Sequence, residues 1–247
     1  MARDEFFIGY INQIPPGIKR FFIILISILV SSIILLSVIF PFVHNQFSTG
    51  SYTKSQEFEG LLLDKPIPQL LVPHPGNLAN HDPYSRYILA STRKSAVSPK
   101  VLGLAGKWVK LTAIPVFRDN MTLLAVSSKI DPQVINPPSQ PLPSPTTGKP
   151  LGIFTLTGEI VDSKCYLGVM KPGHSVTHRD CAIRCISGGI PPALRVINAA
   201  GDPLYLLLVD QKGKAINDRI LHLVADPVTL TGEVMQYGDL FVLKVRE

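Results

Sequence analysis

Residues 21–43 form a long apolar run without a single charged side chain. A helix of this length extends roughly 30 Å or more, which is enough to cross the hydrocarbon core of a bilayer. The residues that follow Val43 do not have the spacing of small residues that marks a signal-peptide cleavage site. The run therefore predicts a transmembrane helix over 21–43 that remains as an anchor, and it leaves the rest of the chain to fold outside the bilayer.

Basic residues near this run lie almost entirely on one side of it. Lys19 and Arg20 directly precede the run, whereas the nearest basic residue beyond it is Lys54. Because basic residues flanking a transmembrane helix favour the cytoplasmic side, we expect residues 1–20 to be a cytoplasmic segment. The helix would then cross the bacterial cytoplasmic (inner) membrane once. The later domains would lie in the periplasm or outside the cell, where disulfides are permitted.

The predicted transmembrane helix also carries serines at a spacing that favours contact with another helix. Ser27 and Ser31 are four residues apart and therefore share one helix face. Small residues in this spacing let helices approach closely in lipid. We expect a membrane-protein partner along this face and on the domains that follow; a helix that serves as an anchor alone is the simpler alternative.

The charge distribution argues against a nucleic-acid partner. The chain has 24 basic and 18 acidic residues, a net charge of +6. Nucleic-acid readers concentrate basic residues on one face and interleave them with aromatic residues. Here the basic residues are scattered, and an exported domain does not meet nucleic acid. A mildly basic, solvated surface is the better interpretation.

Proline divides the exported part into two regions. Residues 131–150 contain seven prolines and few apolar side chains, a composition typical of an extended linker. On either side, in residues 50–130 and 151–247, short β-branched or alternating runs are separated by Gly, Pro, Asn and Asp. This pattern predicts two small β domains without a long amphipathic helix.

The two β regions resemble each other in four short blocks that occur in the same order. Residues 58–64 align with 156–162, residues 87–90 with 205–208, residues 106–112 with 226–231, and residues 124–126 with 243–245. The fold class that follows is all-β with one N-terminal transmembrane helix and two tandem small OB-like β-barrels; sandwiches are the alternative. The alignment offset is 98 at Gly60 and Gly158 but 118 at Tyr87 and Tyr205, which predicts an insertion of about twenty residues in the second domain.

The insertion contains all three cysteines of the chain. Gly158, Asp162 and Cys165 are followed by His178-x-x-Cys181-x-x-x-Cys185-x-x-Gly188 and then by strands at Tyr205 and at 228–232. With this pattern, residues 156–247 resemble a family of small exported bacterial domains of uncharacterised function. The resemblance implies export and a small OB-like barrel but no activity. This chain differs from the simpler members in its longer loop at 170–174, its anchor and its first domain.

Local signals predict a short helix inside the insertion. Thr177 and Asp180 have the spacing of a capping box, and Gly188-Gly189 followed by Pro191-Pro192 would end the helix, which fits a helix over about 178–187. His178, Cys181 and Cys185 would then share one face. At this spacing Cys181 and Cys185 are too far apart for a relaxed disulfide with each other.

Three states of the thiols remain open on sequence alone. Cys165 could pair with Cys181 or Cys185 and staple the insertion to its strand, which leaves one thiol over. Alternatively, Cys165, His178, Cys181 and Cys185 could bind one zinc or copper ion, with His174 as an alternative ligand. The thiols could also remain reduced. The spacing matches no standard zinc, thiol-exchange or haem motif.

The functional expectation is a non-catalytic component. We expect a membrane-anchored extracytoplasmic accessory or assembly subunit of a larger membrane complex, such as a redox complex, with a disulfide-stapled or metal-binding Cys/His element. The alternative is an extracytoplasmic metal-binding or electron-handling module. Basic residues near Cys181 leave a nucleophilic role chemically open, but no catalytic residue is assigned.

Overall fold

The computed structural model describes residues 14–47, 49–73, 83–119, 121–129, 131–138 and 147–246. The chain divides into two compact units, Met1–Phe47 and Ser48–Glu247, which are described separately.

The first unit contains one apolar helix, α1, which spans Pro16–Asn45. Pro16 occupies the first helical turn, where its missing N–H costs no hydrogen bond. The most apolar 18-residue window has a mean hydropathy of 3.0, so the helix is long and apolar enough to cross a membrane. The hydroxyl of Ser37 donates to the carbonyl of Ile34 at 2.8 Å, which satisfies a polar group without help from water. The predicted apolar helix is confirmed, and it extends beyond 21–43 at both ends.

The second unit is built mainly from strands. Its strands and helices, in chain order, are β1 (Ser51–Tyr52), β2 (Gln56–Leu63), β3 (Gln69–Pro73), β4 (Tyr84–Ser91), α2 (Pro99–Leu102), β5 (Trp108–Arg118), β6 (Met121–Val126), β7 (Gln133–Val134), β8 (Lys149–Asp162), α3 (Arg179–Ser187), β9 (Pro192–Ile197), β10 (Pro203–Asp210), β11 (Pro227–Tyr237) and β12 (Leu240–Val245).

These strands form two closed five-stranded barrels. In the first barrel the order is β2-β3-β4-β6-β5, and β5 returns to pair with β2. In the second barrel the order is β8-β9-β10-β12-β11, and β11 returns to β8. The third and fifth strands of each barrel are parallel, and all other neighbours are antiparallel. The two barrels therefore have the same strand order and the same strand directions.

The strand register is also the same in the two barrels, and it corrects one block of the sequence alignment. Leu62 pairs with Leu70 and Leu70 with Tyr87 in the first barrel. The matching rung of the second barrel is Ile160, Leu194 and Leu206. Leu206 rather than Tyr205 therefore corresponds to Tyr87. Because neighbouring residues of a strand point to opposite faces, the predicted match of the two tyrosines was wrong by one residue and by one face.

Gly60 and Gly158 are required for the same structural reason, one in each barrel. A Cβ atom on Gly60 would lie 2.3 Å from the carbonyl oxygen of Leu71, and a Cβ atom on Gly158 would lie 2.3 Å from that of Arg195. Both contacts are far below van der Waals distance. The first strand of each barrel approaches the second strand closely at this point, and a residue without a side chain makes the approach feasible.

The barrels enclose two cores and share a third between them. The first interior contains Leu70, Leu89, Val109 and Leu124, and the second contains Leu194, Leu208, Val234 and Leu243. The third core joins outward-facing residues of the two barrels and residues of the insertion; its members include Ile88, Ala90, Leu123, Val161, Tyr166, Leu207, Val209 and Val242. Strands β4 and β10 are consequently buried on both faces, and the two barrels form one body.

The proline-rich segment is partly incorporated into the sheets. Gln133–Val134 pairs with Val109 and Lys110 of β5. Lys149 and Pro150 already belong to β8, where they pair with β11. The central part of the predicted linker, residues 139–146, lies outside the described residues. Residues 74–82, which contain His74 and His81, also lie outside them; they fall between the second and third strands of the first barrel, whereas the Cys/His insertion lies between the first and second strands of the second barrel.

The barrels differ most at the connection between their first and second strands. Residues 64–68 connect β2 to β3, whereas residues 163–191 connect β8 to β9. This longer connection is the predicted insertion, and it contains one π-helical turn (Cys165–Val169), a 3-10 turn (Val176–His178) and α3.

Candidate metal and thiol site

The insertion starts at a buried aspartate that organises its first turn. Asp162 is the last residue of β8 and is fully buried. Its Oδ1 accepts a hydrogen bond from the backbone N–H of Cys165 at 2.8 Å, the pattern in which an aspartate fixes a turn. The other carboxylate oxygen, Oδ2, forms a hydrogen bond with Nε2 of His178 at 2.9 Å. Asp162 therefore connects the strand, the first cysteine and the start of the helix.

The predicted helix is present and begins one residue later than expected. α3 spans Arg179–Ser187 and follows directly on the 3-10 turn. The predicted capping box does not form, because His178 occupies the cap position without a side-chain cap bond and Thr177 instead contacts the hydroxyl of Ser175 at 3.1 Å. Gly188 and Gly189 end the helix as expected, with Gly189 at φ +95°.

The four candidate ligands predicted from sequence fall into two overlapping groups. Ligand atoms of Cys165, His178 and Cys181 all lie within 4.8 Å of one another, and so do those of Asp162, Cys165 and Cys185. Cys165 belongs to both groups. Among the described residues, His174 is a member of neither group; its ring packs against Tyr166 with a centroid distance of 6.2 Å.

All three cysteines are free thiols in this structure. Cys165 Sγ and Cys185 Sγ lie 4.0 Å apart. A disulfide requires about 2.05 Å, so the predicted disulfide staple is not formed here.

Burial and hydrogen bonding distinguish the two buried thiols. A hydrogen bond to Cys185, burial and the charge of Asp162 raise the pKa of Cys165. The same hydrogen bond lowers the pKa of Cys185, and the nearby lysines contribute in the same direction. When this pair loses one proton, the charge is therefore favoured on Cys185 and the Cys165 thiol donates to it.

A lysine from the first barrel contacts the third thiol. Lys94 Nζ lies 3.2 Å from Cys181 Sγ, and this contact is the main cause that raises the pKa of Lys94. Cys181 is half-buried, in contrast to the other two cysteines. The cluster is thus closed on its outer side by a residue that lies outside the domain containing the insertion.

The loop that carries Lys94 is attached to the insertion at several points. The buried ammonium of Lys164 donates to the carbonyls of Ser91, at 2.9 Å, and Arg93. The backbone N–H of Ala96 donates to the carbonyl of Gly188 at 2.7 Å. Burial lowers the pKa of Lys164. These contacts hold the loop of residues 91–96 against the site.

Aromatic and cationic side chains fix the π-helical turn between the barrels. The ring of Tyr166 stacks on that of Tyr205 with centroids 5.2 Å apart and planes at 13°. The guanidinium of Arg118, from β5 of the first barrel, lies 3.9 Å from the centroid of the Tyr166 ring. Such contacts between a cation and an aromatic face are favourable and are strengthened by burial.

The donor set fits a thiophilic metal ion. Zinc binds thiolates at about 2.3 Å and imidazole at about 2.0–2.1 Å, so two sulfur ligands of one zinc ion lie about 3.8 Å apart. Copper also accepts thiolate and imidazole ligands. The hydrogen bond between Asp162 and His178 resembles the carboxylate contact that orients a ligating histidine in many metal sites. Because Nε2 of His178 is hydrogen-bonded to Asp162, the other ring nitrogen, Nδ1, is the one that could bind an ion.

Sequence reasoning identified the four candidate side chains but missed two of their neighbours. The spacing of Asp162 and Cys165 was a sufficient signal for the turn that they share, but the contact of Asp162 with His178 depends on the path of the insertion. Lys94 has no sequence signal, because it is far along the chain from Cys181 and approaches it through packing of the two barrels.

Comparison of the chain with protein-family models, with curated proteins and with solved structures found no match in any of the three searches. The resemblance of residues 156–247 to small exported bacterial domains therefore stays a prediction.

Proposed function

We propose that this chain is a non-catalytic, membrane-anchored accessory or assembly subunit of a larger membrane complex and that its inserted Cys/His element binds one zinc or copper ion outside the cytoplasm. The observation that carries the proposal is the convergence of Cys165, His178 and Cys181 on one point, with ligand atoms within 4.8 Å of one another. All three thiols are free. The geometry thus favours a metal site over the disulfide staple.

The local environment also supports metal binding. His178 and Asp162 are both buried and joined by a 2.9 Å contact, so the imidazole is held in one orientation. Cys181 is half-buried, and the ammonium of Lys94 lies 3.2 Å from its sulfur.

The anchored part of the proposal is supported by α1. Its length and apolarity are sufficient for a membrane span, although a signal sequence near the N-terminus satisfies the same criterion. We assign it as an uncleaved anchor in the bacterial inner membrane, because Lys19 and Arg20 precede the most apolar part and no cleavage pattern follows Val43. In this orientation both barrels are periplasmic.

We further assign both barrels to the OB type and interpret them as a tandem duplication. Five strands, a parallel pairing of the third and fifth strands and closure of the first strand on the fourth are features of that fold. The equal register and the equivalent glycines at 60 and 158 support descent from one repeated unit.

The partner is proposed to be a membrane protein that contacts the serine face of α1. Ser27, Ser31 and Ser32 form a shallow groove with Ile28 and Leu35. Replacement of Ser27 and Ser31 by leucine would fill this groove. In affinity purification from detergent-solubilised membranes, the wild-type chain should then retain a partner that the double variant loses, and recovery of the same chains with both would contradict this assignment.

Metal analysis of the full-length chain in detergent tests the proposed site. The protein would be purified without chelator, and metal per chain and free thiols per chain would be counted together. We expect about one zinc or copper ion in the wild type and a loss of most of it in Cys181→Ser and His178→Ala. His222→Ala is the matched control, because His222 is exposed and far along the chain from the cluster. A metal-free wild type with three reactive thiols would overturn the proposal.

A further inference from the structure

Cys165 occupies a special place in the cluster, because it is the one cysteine shared by the two groups of ligand atoms. On one side it lies with His178 and Cys181, and on the other with Asp162 and Cys185. Its sulfur is 4.0 Å from that of Cys185, so a small movement would bring the two to bonding distance. One sulfur cannot both form this disulfide and remain a thiolate ligand.

We propose that the metal site is redox-gated: a disulfide oxidant of the extracytoplasmic space joins Cys165 to Cys185, which removes Cys165 from the ligand set and releases the ion. This inference rests on the proposed metal-binding function and deepens it. It also gives a role to each of the three cysteines. Cys185 is then the redox partner rather than a ligand.

The reaction balances as a thiol-disulfide exchange. The metal-bound thiolate of Cys165 and the thiol of Cys185 react with one disulfide R–S–S–R; one sulfur-sulfur bond breaks and one forms between Cys165 and Cys185. Two molecules of R–SH leave, one with the proton of Cys185 and the other with a proton from solvent. The protein loses two electrons and the oxidant gains them. The released metal ion returns to solvent in its original oxidation state.

Access to the buried thiols is provided by Cys181. Cys165 and Cys185 are 3% and 0% exposed, whereas Cys181 is half-buried. Cys181 would attack the oxidant first and form a mixed disulfide with release of one R–SH. Cys165, whose sulfur lies within 4.8 Å, then displaces the second R–SH and forms a bond to Cys181.

In the last step the disulfide is transferred from the Cys165–Cys181 pair to the buried Cys165–Cys185 pair. Cys185 lies against Cys165 and attacks it, so that Cys181 leaves as a thiolate. The ammonium of Lys94, 3.2 Å from the Cys181 sulfur, stabilises that leaving group, and exchange proceeds faster toward the better leaving thiolate. The end state is a buried disulfide with Cys181 free again.

The test uses the full-length chain in detergent, fully reduced and loaded with Zn²⁺, and treats it with oxidised glutathione. Disulfides are mapped by peptide mass spectrometry, and free zinc is followed with a chromophoric chelator. We expect a Cys165–Cys185 linkage, an alkylatable Cys181 and release of the bound zinc as the linkage forms. The Cys181→Ser variant, tested without metal, should form this linkage roughly tenfold more slowly, because its entry thiol is missing.

The Cys185→Ser variant separates the gate from the site. It should bind zinc when reduced, because Cys185 is not in the group with His178 and Cys181, but oxidation should leave Cys181 blocked rather than free. Reduced wild type that binds no zinc would overturn the proposed function. Wild type that binds zinc when reduced and retains it after oxidation, or whose final linkage includes Cys181, would overturn the gate alone.

Discussion

The two barrels have the same strand order and register, yet cysteine chemistry is concentrated in one of them. In the first barrel residues 64–68 suffice to connect the first two strands, and the connection begins at Asp64. In the second barrel the equivalent Asp162 starts a long insertion with three thiols and a buried histidine. The comparison teaches that a small barrel can accept a reactive element at one strand connection without a change in its framework.

The first barrel, which lacks cysteine, also contributes side chains to the thiol site of the second barrel. Its strands β4, β5 and β6 supply five of the nineteen buried residues of the shared core, its Arg118 covers Tyr166, and its Lys94 contacts Cys181. The first barrel thus repeats the fold of the second barrel and also supplies side chains that cover the site.

Separation of the barrels should have the largest effect. A fragment of residues 149–247 would expose fully buried residues of the shared core, among them Leu207, Val209 and Val242. Exposure of these three side chains alone costs about 5 kcal/mol or more, so we expect the fragment to aggregate or to unfold well over 10 °C below the two-barrel chain. Thermal unfolding followed by circular dichroism checks this, and an equally stable monomeric fragment would show that the shared core is dispensable.

The equivalent glycines should be equally sensitive. Gly60→Ala and Gly158→Ala each place a Cβ atom 2.3 Å from a backbone carbonyl oxygen, which must move. We expect each to reduce the free energy of unfolding by about 2–3 kcal/mol, as for other overpacked sites. Urea denaturation measures the change, and Gly103→Ala, where the nearest atom is 3.4 Å away, is the control. A large effect in one barrel and none in the other would break the proposed equivalence.

The contribution of the first barrel to the thiol cluster should be visible in Cys181 reactivity. Lys94→Ala removes the ammonium that stabilises negative charge on this sulfur. In the reduced, metal-free protein, we predict alkylation of Cys181 by iodoacetamide to slow about two- to fivefold at neutral pH. Lys100→Ala is the matched control, since its ammonium pairs with Asp131 instead. Unchanged alkylation would mean that the loop of residues 91–96 does not influence the site.

The smallest effect concerns pH. Burial is the main cause that lowers the pKa of His174 in the folded insertion, with Arg195 contributing. Because the unfolded chain then binds the proton more readily, the contribution of His174 to stability is complete above its ordinary pKa near 6.5 and is lost as the pH falls through the folded value. His174→Gln should therefore flatten the loss of stability between pH 7.5 and 5.

Urea denaturation of the reduced protein with chelator present would measure that slope, so that metal release does not contribute. His222→Gln serves as the exposed control. If stability fell equally with pH in the wild type and in His174→Gln, the pH dependence would not come from His174. The first barrel has no counterpart of this residue in its short connection, which makes the test specific to the insertion.

Much of this fold was predictable, and the misses have physical causes. The charge-free run, the two β regions and the insertion follow directly from composition and spacing. The shared core was missed although it left a signal: residues 204–209 of β10 form a continuous apolar run rather than an alternating one, which is typical of a strand buried on both faces. The incorrect match of Tyr205 with Tyr87 also results from this continuous run, because a run without alternation does not fix the strand register.

The candidate site was predictable to the same degree. Three candidate ligands at helical spacing and one thiol before them were sufficient to identify the cluster. Its outer wall was not predictable, since Lys94 reaches Cys181 through contacts between two separate barrels. The choice between thiols and a disulfide also required coordinates, because it depends on a sulfur-sulfur distance that no spacing determines.

X-ray absorption of the zinc-loaded, reduced full-length protein tests the central claim most directly, because it counts the atoms bound to the ion. The account predicts two sulfur ligands at about 2.3 Å and an imidazole nitrogen at about 2.0–2.1 Å, with an unchanged spectrum in Cys185→Ser. A coordination sphere without sulfur, or one that loses a sulfur in Cys185→Ser, would contradict it.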